Sequence, residues 1–142
     1  MKKKFLIVIA NYYVDISKGL LDSSLKLIPK SNIIKIIKVP GVFEIPITIS
    51  KNIKKYDAFL ALGCVIKGET PHFDFISQAS TNAIMDLSIN NKKPIGNGII
   101  TCLNMRQAKA RKKKGAEAAL AVISILSQKW ELILIQKIIL EL

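Results

Sequence analysis

The chain has 142 residues, half of them hydrophobic, which fits one folded domain over residues 1–142 and excludes an intrinsically disordered protein. Its net charge of +12 would attract anions such as phosphorylated compounds or nucleic acid. Nearly all of this charge is lysine, because Arg106 and Arg111 are the only arginines, whereas nucleic-acid readers usually use arginine for bidentate contacts. We therefore expect a lysine-rich solvated surface and no nucleic-acid partner.

The chain starts with MKKKFLIVIA, a charged and then apolar run that resembles the start of a signal peptide. The apolar part, Phe5–Ala10, is too short for the core of such a peptide, and Asn11, Tyr12 and Tyr13 follow where a cleavage site needs small residues. No segment reaches the roughly 18 consecutive apolar residues of a membrane span. We therefore interpret the start as a first strand and expect a cytoplasmic protein with no membrane partner.

Short apolar runs alternate with longer amphipathic stretches along the chain. In chain order, this pattern predicts a strand at Lys4–Ala10, a helix at Ile16–Leu27, a strand at Ile33–Lys38, a helix at Phe43–Lys54, a strand at Tyr56–Cys64, a helix at His72–Ile89, a strand at Ile95–Thr101, and helices at Met105–Lys112 and Ala116–Gln128. The strands are mostly apolar on both faces, which is typical of buried parallel strands. The order predicts an α/β fold, a four-stranded parallel sheet with helices on both faces.

Several helix starts carry their own signals. Asp15 is predicted to cap the first helix and Asn104 the fourth. Thr70 is predicted to cap the third, because Pro71 follows it at a position that favours the first turn of a helix. Gly115 is expected to separate the last two helices.

Ligands of an open parallel α/β sheet bind beyond the carboxyl ends of its strands. The predicted loops at that edge are Asn11–Asp15, Val39–Glu44, Gly63–His72 and Thr101–Asn104. A ligand site is therefore expected where these loops meet.

The third of these loops combines a helix start with the only histidine of the chain. Gly68 allows unusual backbone angles, and a helix that starts near Thr70 offers free amides and a positive dipole end to a phosphate. The same residues also fit a plain strand-to-helix turn. His72 by itself is compatible with a surface role, but its place beside an anion site favours proton transfer, because histidine gives and takes protons near neutral pH.

The two cysteines, Cys64 and Cys102, have neither a metal-ligand spacing nor neighbouring ligands in the sequence. With a single histidine in the chain, a zinc site of ordinary composition is not expected. Buried, reduced thiols are the interpretation we adopt.

Four segments in this order resemble the lumazine synthase family. They are IANYY (Ile9–Tyr13), VPGVFEIP (Val39–Pro46), LGCVIKGETPHFDF (Leu62–Phe75), and GNGIIT followed by QAKAR and KGAEAA (Gly96–Ala119). The resemblance implies a flavodoxin-like three-layer sandwich. It also implies a homo-oligomer based on pentamers, with active sites between subunits and a functional link to riboflavin synthase.

The activity implied by the resemblance is that of a transferase in the penultimate step of riboflavin biosynthesis. It condenses two small-molecule substrates, 5-amino-6-(D-ribitylamino)uracil and 3,4-dihydroxy-2-butanone 4-phosphate, to 6,7-dimethyl-8-ribityllumazine, phosphate and water. It uses no metal and no organic cofactor.

The resemblance also assigns roles to residues of this chain. His72 would transfer protons during catalysis. The residues that would bind the ribitylaminouracil are Tyr12, Val42, Phe43, Glu44, Cys64, Val65, Ile66, Asn97 and Lys114. Those that would bind the butanone phosphate are Glu69, Thr70 and Arg111.

The sequence departs from the family pattern in three places. Asn11 stands where many relatives have arginine, and the segment Arg111–Lys114 is shorter than the usual loop. Because of this shortening, Lys112 or Lys113 could take over part of the phosphate site. An apolar extension at 130–142 follows the matching segments, and we expect it to contact a neighbouring subunit.

Two other functions fit the same sequence. The first is a non-catalytic flavin- or nucleotide-binding module, although no Gly-x-Gly-x-x-Gly motif or P-loop follows the first strand. The second is a basic nucleic-acid-binding protein, which the shortage of arginine disfavours.

Overall fold

The computed structural model describes residues 2–128 and 137–141. In chain order the elements are β1 (Lys4–Ala10), α1 (Val14–Leu25), β2 (Ile33–Val39), a short 3-10 helix (Val42–Glu44), α2 (Ile45–Lys51), β3 (Ala58–Ile66), α3 (His72–Asn91), β4 (Ile95–Cys102), α4 (Met105–Arg111) and α5 (Gly115–Ser127). The strands pair in parallel in the order β2-β1-β3-β4. The predicted parallel sheet is therefore confirmed.

Both faces of the sheet are covered by helices. Successive side chains of a strand point to opposite faces, so Ile7 of β1 belongs to one apolar cluster and Val8 to another. The Ile7 cluster contains residues of α1, α4 and α5, and the Val8 cluster contains residues of α2 and α3. This arrangement confirms the flavodoxin-like three-layer sandwich.

The expectation of strands buried on both faces holds only for β1 and β3. Every residue of β1 after Lys4 is buried, as is every residue of β3 before Ile66. In contrast, β2 is largely exposed and β4 alternates between buried and more exposed positions. The prediction is wrong for β2 and β4 because they form the two edges of the sheet, where the flanking helices cover less of each strand.

Three predicted helix starts differ from the structure. Asp15 does not cap α1, because the helix begins at Val14 and Asp15 lies inside its first turn. Thr70 does not cap α3, because Pro71 occupies the cap position and the helix start has no side-chain capping hydrogen bond. The second helix begins as the 3-10 turn and becomes α-helical only at Ile45–Lys51.

The predicted cap at Asn104 is confirmed. Its Oδ1 accepts a hydrogen bond of 2.9 Å from the backbone N–H of Gln107, and the Gln107 side chain accepts one of 2.8 Å from the N–H of Leu103. This reciprocal pair satisfies amides at the start of α4 that have no partner inside the helix.

Replacing Asn104 with alanine should lower the free energy of unfolding by about 1 kcal/mol, the usual contribution of such a cap. Urea denaturation would measure the change. Asn104→Asp is the matched control, because aspartate keeps the accepting oxygen and should retain most of the stability. Equal stability of wild type and Asn104→Ala would contradict the role of the cap.

The apolar extension predicted at 130–142 lies mainly outside the described residues. The described part, 137–141, is helical, and its side chains Ile138, Ile139 and Leu140 are exposed. Within residues 2–128 and 137–141, no helix combines the length and the apolarity that crossing a membrane requires.

Candidate active site

The carboxyl ends of β1 and β3 border a crevice of about 550 Å³. The crevice forms there because β1 and β3 are neighbours in the sheet, but the chain leaves them in opposite directions. After β1 it continues to β2 on one side, and after β3 it continues to β4 on the other side. The lining residues come from the loops after β1 and β2, the end of β3 and the start of α3; they are Tyr12, Tyr13, Gly41, Val42, Phe43, Cys64, Val65, Ile66, His72 and Ile76.

Backbone and buried side-chain hydrogen bonds hold these loops in place. The N–H of Asn11 donates to the carbonyl of Val39 at 2.9 Å and joins the loops after β1 and β2. The buried hydroxyl of Ser17 donates to the carbonyl of Ala10 at 2.6 Å and fixes α1 against the end of β1. The loop that bears Tyr12 is therefore anchored at both ends.

The mouth of the crevice presents aromatic rings to solvent. Tyr12 is 73% exposed and Phe43 is 68% exposed, which is unusual for large apolar rings in a chain with a well-packed core. The rings of Tyr12 and Tyr13 form a T-shaped pair with 4.8 Å between their centroids, so at least one face of Tyr12 stays available for a planar ligand. Burial, followed by the neighbouring Tyr12, raises the pKa of Tyr13.

The inner wall of the crevice is apolar and neutral. Val42, Cys64 and Val65 are buried there. Burial, reinforced by the adjacent Cys102, raises the pKa of Cys64 to about 12, so this thiol carries no charge at neutral pH. Both cysteines are free and buried, as predicted, and each influences the pKa of the other, a proximity that the sequence did not predict.

His72 is the first residue of α3, and its exposed side chain lines the crevice. The preceding residues Gly68, Glu69 and Thr70 are exposed and lie just outside the lining. Within the described part of the chain, the backbone amides of these three residues have no hydrogen-bond acceptor. A group with several acceptor oxygens could therefore bind at this end of α3 next to His72.

Glu44 follows Phe43 in the 3-10 helix but does not line the crevice. It is half-buried and lines a neighbouring groove of about 430 Å³ between α2 and α3. Its carboxylate is turned toward Gly41, since a Cβ atom on that glycine would lie 3.2 Å from Glu44 Oε1. Phe43 lines both spaces, so the two are adjacent.

Asn97, Arg111 and Lys114 lie away from the crevice of their own chain. Asn97 lies in the middle of the edge strand β4, opposite Ala61, with an exposed side chain. The ammonium of Lys114 pairs with Glu117 Oε2 at 3.1 Å. A single chain therefore does not bring these candidate residues next to His72.

Arg111 ends α4 and lines a separate space of about 710 Å³ beside α1 and the start of α5. Its Nη1 donates to the carbonyl of Gln107 at 3.3 Å. Burial raises the pKa of Cys102, the last residue of β4, and the positive charge of Arg111 acts in the opposite direction. Arg111 is thus on the carboxyl edge of the sheet but outside the crevice.

Sequence reasoning missed three residues of the crevice, namely Tyr13, Gly41 and Ile76. Ile76 had a usable signal, because residues four apart on a helix share a face and His72 precedes it by one turn. Gly41 belongs to the predicted loop Val39–Glu44, so its place in a loop could be predicted, but its contact with the crevice could not.

Comparison with known proteins gives one consistent family. Residues 2–129 match the model of the family described as 6,7-dimethyl-8-ribityllumazine synthase. A protein of that name from Bartonella bacilliformis is 44% identical, over 84% of this chain and 88% of its own length. The one from Agrobacterium fabrum is 40% identical, over 92% of this chain and 97% of its own length. A 6,7-dimethyl-8-ribityllumazine synthase 1 from Rhodopseudomonas palustris is 41% identical, over 89% of this chain and 85% of its own length.

These matches extend over nearly all the described residues, including every loop that contributes to the crevice. The chain therefore belongs to the 6,7-dimethyl-8-ribityllumazine synthase family.

Proposed function

We propose that the crevice condenses 5-amino-6-(D-ribitylamino)uracil with 3,4-dihydroxy-2-butanone 4-phosphate to 6,7-dimethyl-8-ribityllumazine, phosphate and two molecules of water. The observation that carries the proposal is the crevice itself, which combines an exposed aromatic face, an apolar neutral wall and the only histidine of the chain. Relatives that match along 88% and 97% of their own length bear the name of the synthase that makes this product.

The uracil substrate fits the aromatic side of the crevice. Its ring would stack on the free face of Tyr12, and its edge would meet backbone groups of Cys64, Val65 and Ile66. The ribityl chain would extend along Val42 and Phe43 toward Glu44, whose carboxylate can accept hydrogen bonds from hydroxyls.

The phosphorylated ketone fits the start of α3. The amides of Gly68, Glu69 and Thr70 are free to donate to phosphate oxygens, and the positive end of the helix dipole favours an anion there. Arg111 would supply the cation, because a guanidinium pairs with phosphate in two parallel hydrogen bonds.

The reaction then proceeds by proton transfers. The amine of the uracil attacks the ketone carbonyl and water leaves to form an imine. Phosphate is eliminated, and ring closure releases a second water. Each step moves a proton near the bound substrates, so His72 at the crevice wall is the general acid and base.

We further propose that the site is completed by a neighbouring copy in a pentamer-based homo-oligomer. Asn97, Arg111 and Lys114 lie outside the crevice of their own chain, so a second copy is needed to bring such groups near His72. Each subunit would be a single domain over 1–142, and the product would pass to riboflavin synthase. The free, buried thiols Cys64 and Cys102 fit a reducing compartment such as the cytoplasm.

The test is an assay of the purified protein with both substrates, in which lumazine fluorescence is followed over time. We expect product formation that depends on both substrates and needs no added metal or cofactor. A protein that binds flavin but forms no product, or one that binds RNA with a steep salt dependence and forms no product, would overturn the proposal.

The exposed ring of Tyr12 supports a specific prediction. Tyr12→Leu should raise the KM for the ribitylaminouracil about tenfold, because stacking of a base on an aromatic ring contributes about 1–3 kcal/mol. Tyr12→Phe is the matched control and should stay near the wild-type KM, since it keeps the π-face. If Leu and Phe variants had the same KM, Tyr12 would not stack on the substrate.

A further inference from the structure

The short turn Arg111–Lys114, called here the α4–α5 turn, lies directly on helix α1. Gly19 makes this approach possible, because a Cβ atom at that position would lie 2.9 Å from the Cβ, Cγ and carbonyl O of Lys112. Gly115, immediately after the turn, has the same role: a Cβ atom there would overlap the carbonyl of Leu20. Two missing side chains therefore let the turn contact the helix backbone.

An ion pair joins the same two segments. Lys112 Nζ lies 3.5 Å from Asp15 Oδ2, and the side chains are 37% and 68% exposed. Asp15 belongs to the first turn of α1, which follows the loop that bears Tyr12. The pair thus connects the turn that carries Arg111 to the start of the helix that follows the Tyr12 loop.

We propose that Gly19, Asp15 and Lys112 are positioning residues that hold the α4–α5 turn on α1 and thereby orient the Arg111 guanidinium toward the phosphate of the ketone substrate. This inference rests on the proposed function of Arg111. It differs from the expectation that Lys112 takes over part of the phosphate site, because the Lys112 ammonium is directed to a carboxylate of its own chain.

Asp15→Asn separates positioning from simple electrostatics. Removal of a negative charge near an anion site should by itself strengthen phosphate binding and lower the KM. Loss of a positioning contact should raise the KM for the phosphorylated ketone about two- to fivefold, the range for an exposed ion pair, with kcat and the KM for the uracil unchanged. The two explanations therefore predict opposite signs for one variant.

Charge reversal and matched controls complete this test. Asp15→Lys combined with Lys112→Asp restores an ion pair and should return the KM for the ketone toward the wild-type value. Asp22→Asn removes a negative charge and Lys26→Met removes a positive charge, and both residues line the space that Asp15 and Lys112 also line. Neither Asp22 nor Lys26 has an ion pair within the described part of the chain. These controls should leave the KM for the ketone within about twofold, below the change expected for loss of the pair.

Gly19→Ala tests the same positioning role through a steric change. Alanine is favoured over glycine inside a helix, so a purely local effect would leave the protein as stable or more stable and catalytically unchanged. Because the added methyl group must displace Lys112, we expect a rise in KM for the ketone on the order of tenfold, as small misplacements of binding groups cause.

Calorimetric titration with inorganic phosphate distinguishes failure of this inference from failure of the proposed function. The expected result is that Arg111→Ala and Asp15→Asn both weaken phosphate binding by the full-length protein. If Arg111→Ala left it unchanged, the phosphate assignment of Arg111 and this inference with it would fall. If Arg111→Ala weakened it while Asp15→Asn bound phosphate as well as wild type or better, the positioning roles alone would be wrong.

Discussion

Replacing His72 with alanine is expected to lower kcat about 10²- to 10⁴-fold, the usual contribution of one general acid and base, while leaving both KM values close to wild type. Activity should not disappear, because holding two substrates in register can contribute effective molarities up to about 10⁵–10⁸ M. The side chain lies at the start of α3 on the wall of the crevice, so its removal leaves the remaining lining intact. Single-turnover fluorescence measurements of lumazine formation would give the rate.

Asp74→Asn is the matched control for His72→Ala. Asp74 lies in the same first turn of α3, is exposed and does not line the crevice, so its substitution should change kcat little. Unchanged turnover in His72→Ala would remove this residue from the mechanism. Equal losses in both variants would instead indicate a general disturbance of the helix start.

Arg111→Ala is expected to raise the KM for the phosphorylated ketone about ten- to a hundredfold and to leave the KM for the uracil unchanged. The reason is the loss of hydrogen bonds to a charged group, which contribute about 1.5–3 kcal/mol. Steady-state kinetics with each substrate varied in turn would measure the two constants. Arg111→Lys should recover part of the loss, because it keeps the charge but not the bidentate geometry.

The neighbouring Lys113 tests whether the shortened segment has moved the phosphate site. Lys113 is exposed and lines the same space as Arg111. If Lys113→Ala raised the KM for the ketone and Arg111→Ala did not, the cation would be Lys113. The ion pair between Lys112 and Asp15 makes Lys112 a poorer candidate for this exchange.

Local patterns in the sequence were sufficient for much of the fold and for one half of the site. The alternation of apolar runs gave β1 with its observed bounds and the order of all the helices between the strands. The cap at Asn104 was predictable because it is a contact between residues three apart. Tyr12, Val42, Cys64 and His72 share one crevice because parallel strands end at the same edge, which the element order already implied.

Only the tertiary structure decided which strands lie at the edges, and therefore that β2 and β4 are partly exposed although their sequences are mostly apolar. It also decided that Asn97 and Arg111 lie outside the crevice, and that Lys112 pairs with Asp15 across 97 positions of sequence. Strand and helix periodicities and caps arise from contacts within a few residues, so the sequence by itself determined them. Edge positions and the packing of the α4–α5 turn on α1 depend on contacts between distant segments, which exist only after the sheet and its helices have assembled.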